Sequence, residues 1–322
     1  MTPKERFLAA LSFQETDGKI PFMELEFHIY SEFVDAAPVV GHEYSKLTSK
    51  EKEFALHHNA EVMLATAEKA GHDAIRTFGG YWEVSPGVGT FLWLPDEESQ
   101  LAQLRALKKL ARDRYFLLGT VGSHMGIPDG GNIEDFITDL FESPEDVKAA
   151  NEGTLKQALD SQAKQLEAGA DGILNAVDIA FNTGTFLSPS QLDEFHFPYL
   201  EKWAGSLRSQ GIPSIWHTDG DITAVLERTI DCGVSAIQCV DPLGGMDIVE
   251  IKKQVEGRLA LIGNIDCALL QCGPPENIER EVRRVVEGCG HGGGFVLSAC
   301  NAIYRGIPAE HYMIMVDIAA RG

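Results

Sequence analysis

The pentapeptide Trp216-His217-Thr218-Asp219-Gly220 follows the mostly apolar run Ile212-Pro213-Ser214-Ile215. In an extended segment, residues two apart point the same way, so His217 and Asp219 project together. Imidazole and carboxylate at that spacing suit a metal ion. Joined by the thiol of Cys300, they give three protein ligands and an open fourth position, the plan of a catalytic zinc site. The same residues admit a plainer reading. His217 and Asp219 can hydrogen-bond each other or a substrate, and Cys300 can pack as a small buried side chain.

Polar groups stand wherever short apolar runs stop: Glu24 and Glu26, Arg76, Ser123 and His124, Asp178, Gln238 and Asp241, Asn264 and Asp266, and Asn301 beside Cys300. A purely structural core has no need of so many ionisable groups, so together they read as a reaction chamber. Glu24 and Glu83 are candidate general acids or bases, and Asp178 is a further catalytic carboxylate. Candidate substrate contacts are Glu26, Arg76, Tyr81, His124, Asn264, Asn301 and Tyr304. Arg76 can clamp a substrate carboxylate, or it can neutralise Glu24, Glu26 or Glu83. Asn264 and Asp266 equally suit a turn that caps the next helix. Tyr81, Trp82 and Tyr304 can wall a planar ligand or simply pack.

These residues need a scaffold that brings strand ends together. Eight short apolar segments, at 20–27, 74–78, 116–121, 172–177, 213–217, 236–240, 259–265 and 294–298, alternate with stretches of helical period. Ser143-Pro144 and Ser188-Pro189 mark helix starts, and Pro275-Glu276 opens another. Gly71, Gly169 and Gly233 each fall where a helix must stop before a strand. Eight such repeats predict a (β/α)8 (TIM) barrel in a single domain over 1–322, with a short helical extension at the N-terminus. In this fold the chemistry sits at the carboxyl ends of the strands. The glycine-rich run 290–294 precedes a strand instead of joining strand to helix, which argues against a phosphate loop.

Composition narrows the function. With 322 residues, 44% hydrophobic and 23% charged, the chain can bury a large core. Its formal net charge of -21 repels phosphate backbones and anionic lipid, so neither nucleic acid nor membrane is an expected partner. No run approaches the roughly 20 apolar residues of a membrane span, and residues 1–14 lack a signal-peptide pattern, so a cytoplasmic location is expected. The six cysteines have no CxxC spacing and read as reduced thiols. A homodimer is compatible with the sequence.

The opening Met1-Thr2-Pro3-Lys4-Glu5-Arg6-Phe7-Leu8-Ala9-Ala10-Leu11, then Ile20-Pro21, Leu187-Ser188-Pro189 with Phe195 and Pro198-Tyr199, the segment 215–220, Gly263-Asn264-Ile265-Asp266 and the stretch 274–282 resemble the uroporphyrinogen decarboxylase-like proteins. Their relatives, the methylcobamide:coenzyme M methyltransferases, share the pattern. The resemblance spans almost the whole chain and implies the uroporphyrinogen decarboxylase-like barrel. In the decarboxylases an arginine-rich segment follows the first strand and grips tetrapyrrole carboxylates. Here that stretch reads Glu24-Leu25-Glu26-Phe27-His28-Ile29-Tyr30, which would repel an octa-acid. The zinc methyltransferases of the family use a His-x-Cys pair and a later Cys. This chain has His217, then Asp219 in place of the first Cys, and Cys300 near the second. A carboxylate in place of a thiolate suits oxygen chemistry better than thiol chemistry. The resemblance therefore implies a zinc-assisted methyltransferase acting on a methyl ether or a folate-type acceptor, with a corrinoid presented by a partner protein. Its rivals are decarboxylation of a carboxylated substrate by Arg76 and Asp178, and a noncatalytic corrinoid- or tetrapyrrole-binding barrel.

Overall fold

A computed structural model of the chain describes residues 1–78, 92–122, 132–255 and 257–321. The strands are β1 Ala74–Arg76, β2 Phe116–Val121, β3 Gly172–Ala176, β4 Ala180–Phe181, β5 Gly184–Thr185, β6 Ser214–His217, β7 Ala236–Gln238, β8 Ala260–Ile265 and β9 Phe295–Ala299. Seven of them form one parallel sheet in the order β1-β2-β3-β6-β7-β8-β9. β4 and β5 make a small antiparallel hairpin after β3 that the sequence reading does not contain.

The eighth expected strand, 20–27, is not a regular one. Phe22 bridges Leu297 and Phe27 bridges Ile303, both in parallel sense. Met23 N donates to Leu297 O at 3.2 Å, and Leu297 N donates to Pro21 O at 2.8 Å. On its other side, Asp73 N donates to Phe22 O at 2.7 Å, and Phe22 N donates to Asp73 Oδ2 at 2.9 Å. The segment therefore fills the gap between β9 and β1 and closes the sheet into a (β/α)8 barrel. Pro21 has no N–H to give a ladder, and the Asp73 carboxylate takes one ladder position that a backbone carbonyl would hold.

The lumen follows the period of two. Phe116 and Leu118, Leu174, Ile215, Ala236, Ala260 and Ile262, and Val296 form one buried cluster with Met23, Leu25 and Ala74. The intervening Leu117, Ile173, Trp216, Ile237, Leu261 and Leu297 pack outward against the helices. Both faces are thus buried, as a parallel sheet requires. The helix Pro3–Leu11 plugs one end, sending Phe7, Ala10 and Leu11 into the lumen cluster. Thr2 and Glu5 cap that helix reciprocally. At the same closed end Gly294 N donates to Ala10 O at 2.7 Å, so the run 290–294 passes under the barrel. The strand carboxyl ends are left as the open end.

Gly71 and Gly169 stop their helices in the left-handed region, at φ 70° and 114°, as the sequence predicts, and Gly233 is left-handed too. Among the described residues no helix is long and apolar enough to cross a membrane. Asp73 is the clasp of the closed ring: it is 1% exposed, holds Phe22 N and is ion-paired to Arg6 of the first helix. Removing one partner of a buried pair leaves the other charge uncompensated. Asp73→Ala is therefore expected to lower the free energy of unfolding by about 3 kcal/mol, read from urea denaturation.

Candidate active site at the open end of the barrel

The parity that turns Ile215 into the lumen turns His217 there as well, one step nearer the open end. His217 pairs with Ala176 of β3 on one side and Gln238 of β7 on the other. Its Nδ1 meets Gln238 Oε1 in a short contact. The Gln238 amide is oriented by its other end, where Nε2 donates to Ala299 O at 3.4 Å and Cys300 O at 3.3 Å. An amide oxygen only accepts, so Nδ1 carries the proton of a neutral imidazole, the form that ligates a metal, and its Nε2 then presents a lone pair.

That lone pair faces oxygens. Nε2 lies 3.7 Å from Asp178 Oδ1 and 3.8 Å from Asp219 Oδ1. Asp178 Oδ1 also accepts from Asp219 N at 2.9 Å, and Asn301 Nδ2 donates to Asp219 Oδ2 at 2.7 Å. Asp219 Oδ1 is left buried without a hydrogen-bond partner. Burial pushes the Asp219 carboxyl up, against the attraction of His217, and the nearby Asp178 charge pushes it further. One nitrogen and two carboxylate oxygens thus converge, all within 4.8 Å of one another. An orphaned buried oxygen in such a donor set fits a divalent cation.

The third ligand nominated from the sequence, Cys300, is placed elsewhere. Its Sγ lies 3.8 Å from Cys267 Sγ and also contacts the Cys239 thiol. Among the described residues, Asp178 stands beside His217 and Asp219 in the place expected for Cys300. The physical reason is register: Cys300 lies just past the end of β9, while β3 and β6 are hydrogen-bonded neighbours. Cys239, read from the sequence only as a reduced thiol, falls with Asp219 and Asp241 in a second group of potential ligands. Gly220 permits the tight chain path here. Its φ is +86°, and a Cβ would sit 2.6 Å from the Ala180 carbonyl.

The remaining candidates divide. Arg76 neutralises Glu26, with Nη1 2.8 Å from Oε1, and donates from Nε to Thr120 Oγ1 at 2.8 Å. Glu26 Oε2 holds His28 at 2.8 Å. Burial pushes the Glu26 carboxyl up, but His28 and Arg76 outweigh it and the net shift is downward. Glu24, Glu26, His28, Tyr30 and Arg76 line a shared pocket. Asn264 is buried and donates to Val240 O at 2.8 Å, bracing the turn after β7. Asn301 serves Asp219. Tyr304 donates to Gln271 Oε1 at 2.8 Å, in an exposed bond away from the His217 group. Glu83, Tyr81 and His124, with Trp82 and Ser123, lie outside the described residues.

Glu24 is fully enclosed. Its Oε2 accepts from Ala299 N at 3.0 Å and from Ser298 Oγ at 3.2 Å. Burial pushes its carboxyl up to about 8 in spite of these donors. It is therefore a neutral acid at neutral pH, set at the end of β9 beside Cys300.

A closed parallel barrel with ionisable groups gathered at its open end defines an α/β-barrel enzyme scaffold. The family model described as uroporphyrinogen decarboxylase (URO-D) matches residues 101–322, and the chain belongs to that family. A uroporphyrinogen decarboxylase of Anaeromyxobacter sp. (strain Fw109-5) is 29% identical over 220 residues, 66% of this chain and 61% of the relative. One of Neisseria gonorrhoeae (strain NCCP11945) is 30% identical over 227 residues, 66% of this chain and 60% of the relative. The chain thus matches less than two thirds of these relatives' length. A solved methyltransferase from Methanosarcina mazei shares the fold over 99% of this chain and 98% of its own, with a TM-score of 0.76 and 19% identity.

Glu24 yields a test of this electrostatic picture. Its pKa is raised from 4.5 to about 8 on folding, so between those values the native state holds a proton that the unfolded chain has lost. The stabilising contribution is complete below 4.5 and declines as pH rises toward 8, by about 1.4 kcal/mol per pH unit at most. Urea denaturation across pH 5–8 should show this decline in the native chain and its loss in Glu24→Gln. Equal slopes would contradict it.

Proposed function

We propose that the chain is a methyltransferase that moves a methyl group between a small substrate and a corrinoid carried by a separate protein, with zinc held at His217 and Asp219. The small substrate is a methyl ether or a folate-type acceptor. The observation that carries this reading is the convergence of His217 Nε2, Asp178 Oδ1 and Asp219 Oδ1, with Asp219 Oδ1 left unpartnered. Zinc held there would supply Lewis acidity to a substrate oxygen.

The chain's own residues do the rest. Gln238 keeps the His217 lone pair turned toward the carboxylates, and Asn301 fixes the far oxygen of Asp219. Glu24, a neutral acid, is the proton donor for an oxygen that loses its methyl group, and its carboxylate is the acceptor in the reverse direction. The Glu26–Arg76 pair, beside Glu24, shapes the substrate's side of the pocket.

Decarboxylation of a carboxylated substrate is the second reading, favoured by the sequence relatives, which are uroporphyrinogen decarboxylases. It asks the mouth to receive carboxylates. In this chain Arg76 is bonded to Glu26 and Thr120, and Asp178 and Asp219 add negative charge nearby. That balance favours a cation over a polyanion.

Zinc-loaded protein incubated with cob(I)alamin and a panel of aryl methyl ethers and methyltetrahydrofolate should methylate the corrinoid from one donor. His217→Ala should lower that rate at least about 100-fold. Release of carbon dioxide from uroporphyrinogen, with no methyl transfer from any donor, would sink the proposal in favour of the second reading.

A further inference from the structure

We infer that Tyr312 and His72 form a proton relay that links Glu24 to solvent on the outer side of the barrel, away from the open end. This route rests on the acid role proposed for Glu24 and supplies the way its proton is restored. Neither residue touches the substrate; both act through Glu24.

The relay is a line of buried polar atoms. Ser298 Oγ and Ala299 N occupy Glu24 Oε2, and Oε1 is buried with no formed hydrogen bond. The Tyr312 hydroxyl, from the helix Ala309–Ala319, acts on the same carboxyl and is, among the described residues, the side chain left to serve Oε1. That hydroxyl also meets His72 Nε2 at 2.8 Å in a buried contact. Phe22 and Phe27 pack on both rings, with centroids 5.3 to 5.8 Å away, and shield the pair from bulk water.

His72 stands between two cavities. It lines the pocket shared by Glu24 and Arg76, and it lines a second cavity of about 290 Å³. Exposed Lys19, Glu68, Gly71 and Arg114 border the second cavity, so it reaches solvent. The nearby charges are paired: Asp73 with Arg6, Glu26 with Arg76, and Glu68 with Arg114. Cys300 bears on Glu24, and Tyr30 bears on Tyr312.

Burial pushes the His72 imidazole down to about 3 and the Tyr312 hydroxyl up. Neither group holds a charge readily here, so the proton passes in concert. Once Glu24 has given its proton to a substrate oxygen, its carboxylate takes the Tyr312 proton. Tyr312 takes the Nε2 proton of His72, and His72 Nδ1 takes one from solvent. One proton enters, all three groups end neutral, and His72 has changed tautomer.

The test is infrared absorption of the neutral Glu24 carbonyl, on the acid side of its raised pKa, in protein free of metal and substrate. Glu24→Gln identifies the band. On transfer into deuterium oxide the band shifts as the carboxyl proton exchanges. Tyr312→Phe keeps the ring, and His72→Gln keeps a polar contact but cannot pass a proton. In both, exchange should be slower than in wild type by about 100-fold. A merely structural role would move the band's position and leave its rate alone. Equal rates in the three proteins mean that the proton enters from the open end; they overturn the relay and leave Glu24 its acid role. Absence of the band from wild type overturns both. Should Tyr312→Phe fail to fold, His72→Gln decides alone. Because no methyl donor is present, failure of methyl transfer leaves this readout untouched.

Discussion

The pairing of His217 Nδ1 with Gln238 Oε1 is the contact on which the site turns. It needs β6 and β7 in their observed register, and it needs Gln238 held by the carbonyls of Ala299 and Cys300 at the end of β9. Those two carbonyls belong to a strand end that also binds Glu24, from the segment that closes the ring. The tautomer of one imidazole is thus set by three parts of a closed barrel. Loosening any of them would free Nε2 to carry the proton and would turn a ligand atom into a donor.

The charge balance at the mouth follows from burial. Glu24 is kept neutral by enclosure, while Glu26 is kept charged by Arg76 and His28. Asp178 and Asp219 are brought to the same nitrogen, and one Asp219 oxygen is left without a donor. A buried acceptor without a partner costs about 1–3 kcal/mol. The cost is offset when a cation or a proton occupies the point where these atoms converge. On the proposed reading, one unpaired carboxylate oxygen beside a second carboxylate favours a metal ion over a substrate with many carboxylates.

Much of this is legible in the amino-acid sequence. Seven of the eight apolar runs became strands of the sheet, because a parallel strand buried on both faces leaves a strong apolar signature. The run 20–27 misled because Pro21 cannot donate and Asp73, distant in sequence, supplies part of its pairing. His217 and Asp219 were visible from their spacing alone. Gln238 could be seen at a strand end, but its grip on His217 depends on which strand lies next to which. Cys239 gave no signal, since a buried cysteine in an apolar run reads as packing. Cys300 is nominated from its place at the end of the last apolar run and again by the family pattern, and only the fold shows that Asp178 groups with His217 and Asp219. Arg76 is open in the sequence between a substrate carboxylate and Glu24, Glu26 or Glu83, and the fold lays the 20–27 segment beside β1, where Arg76 pairs with Glu26.

The central claim is that a cation site is built by the Gln238-held imidazole and its two carboxylates. Calorimetric titration of metal-free protein with zinc, compared between wild type and Gln238→Leu, tests it most directly. The account predicts one zinc per chain in wild type, and an affinity lower by about 10–100-fold in the variant with an unchanged fold. No zinc binding in wild type, or equal affinities in the two proteins, would contradict it.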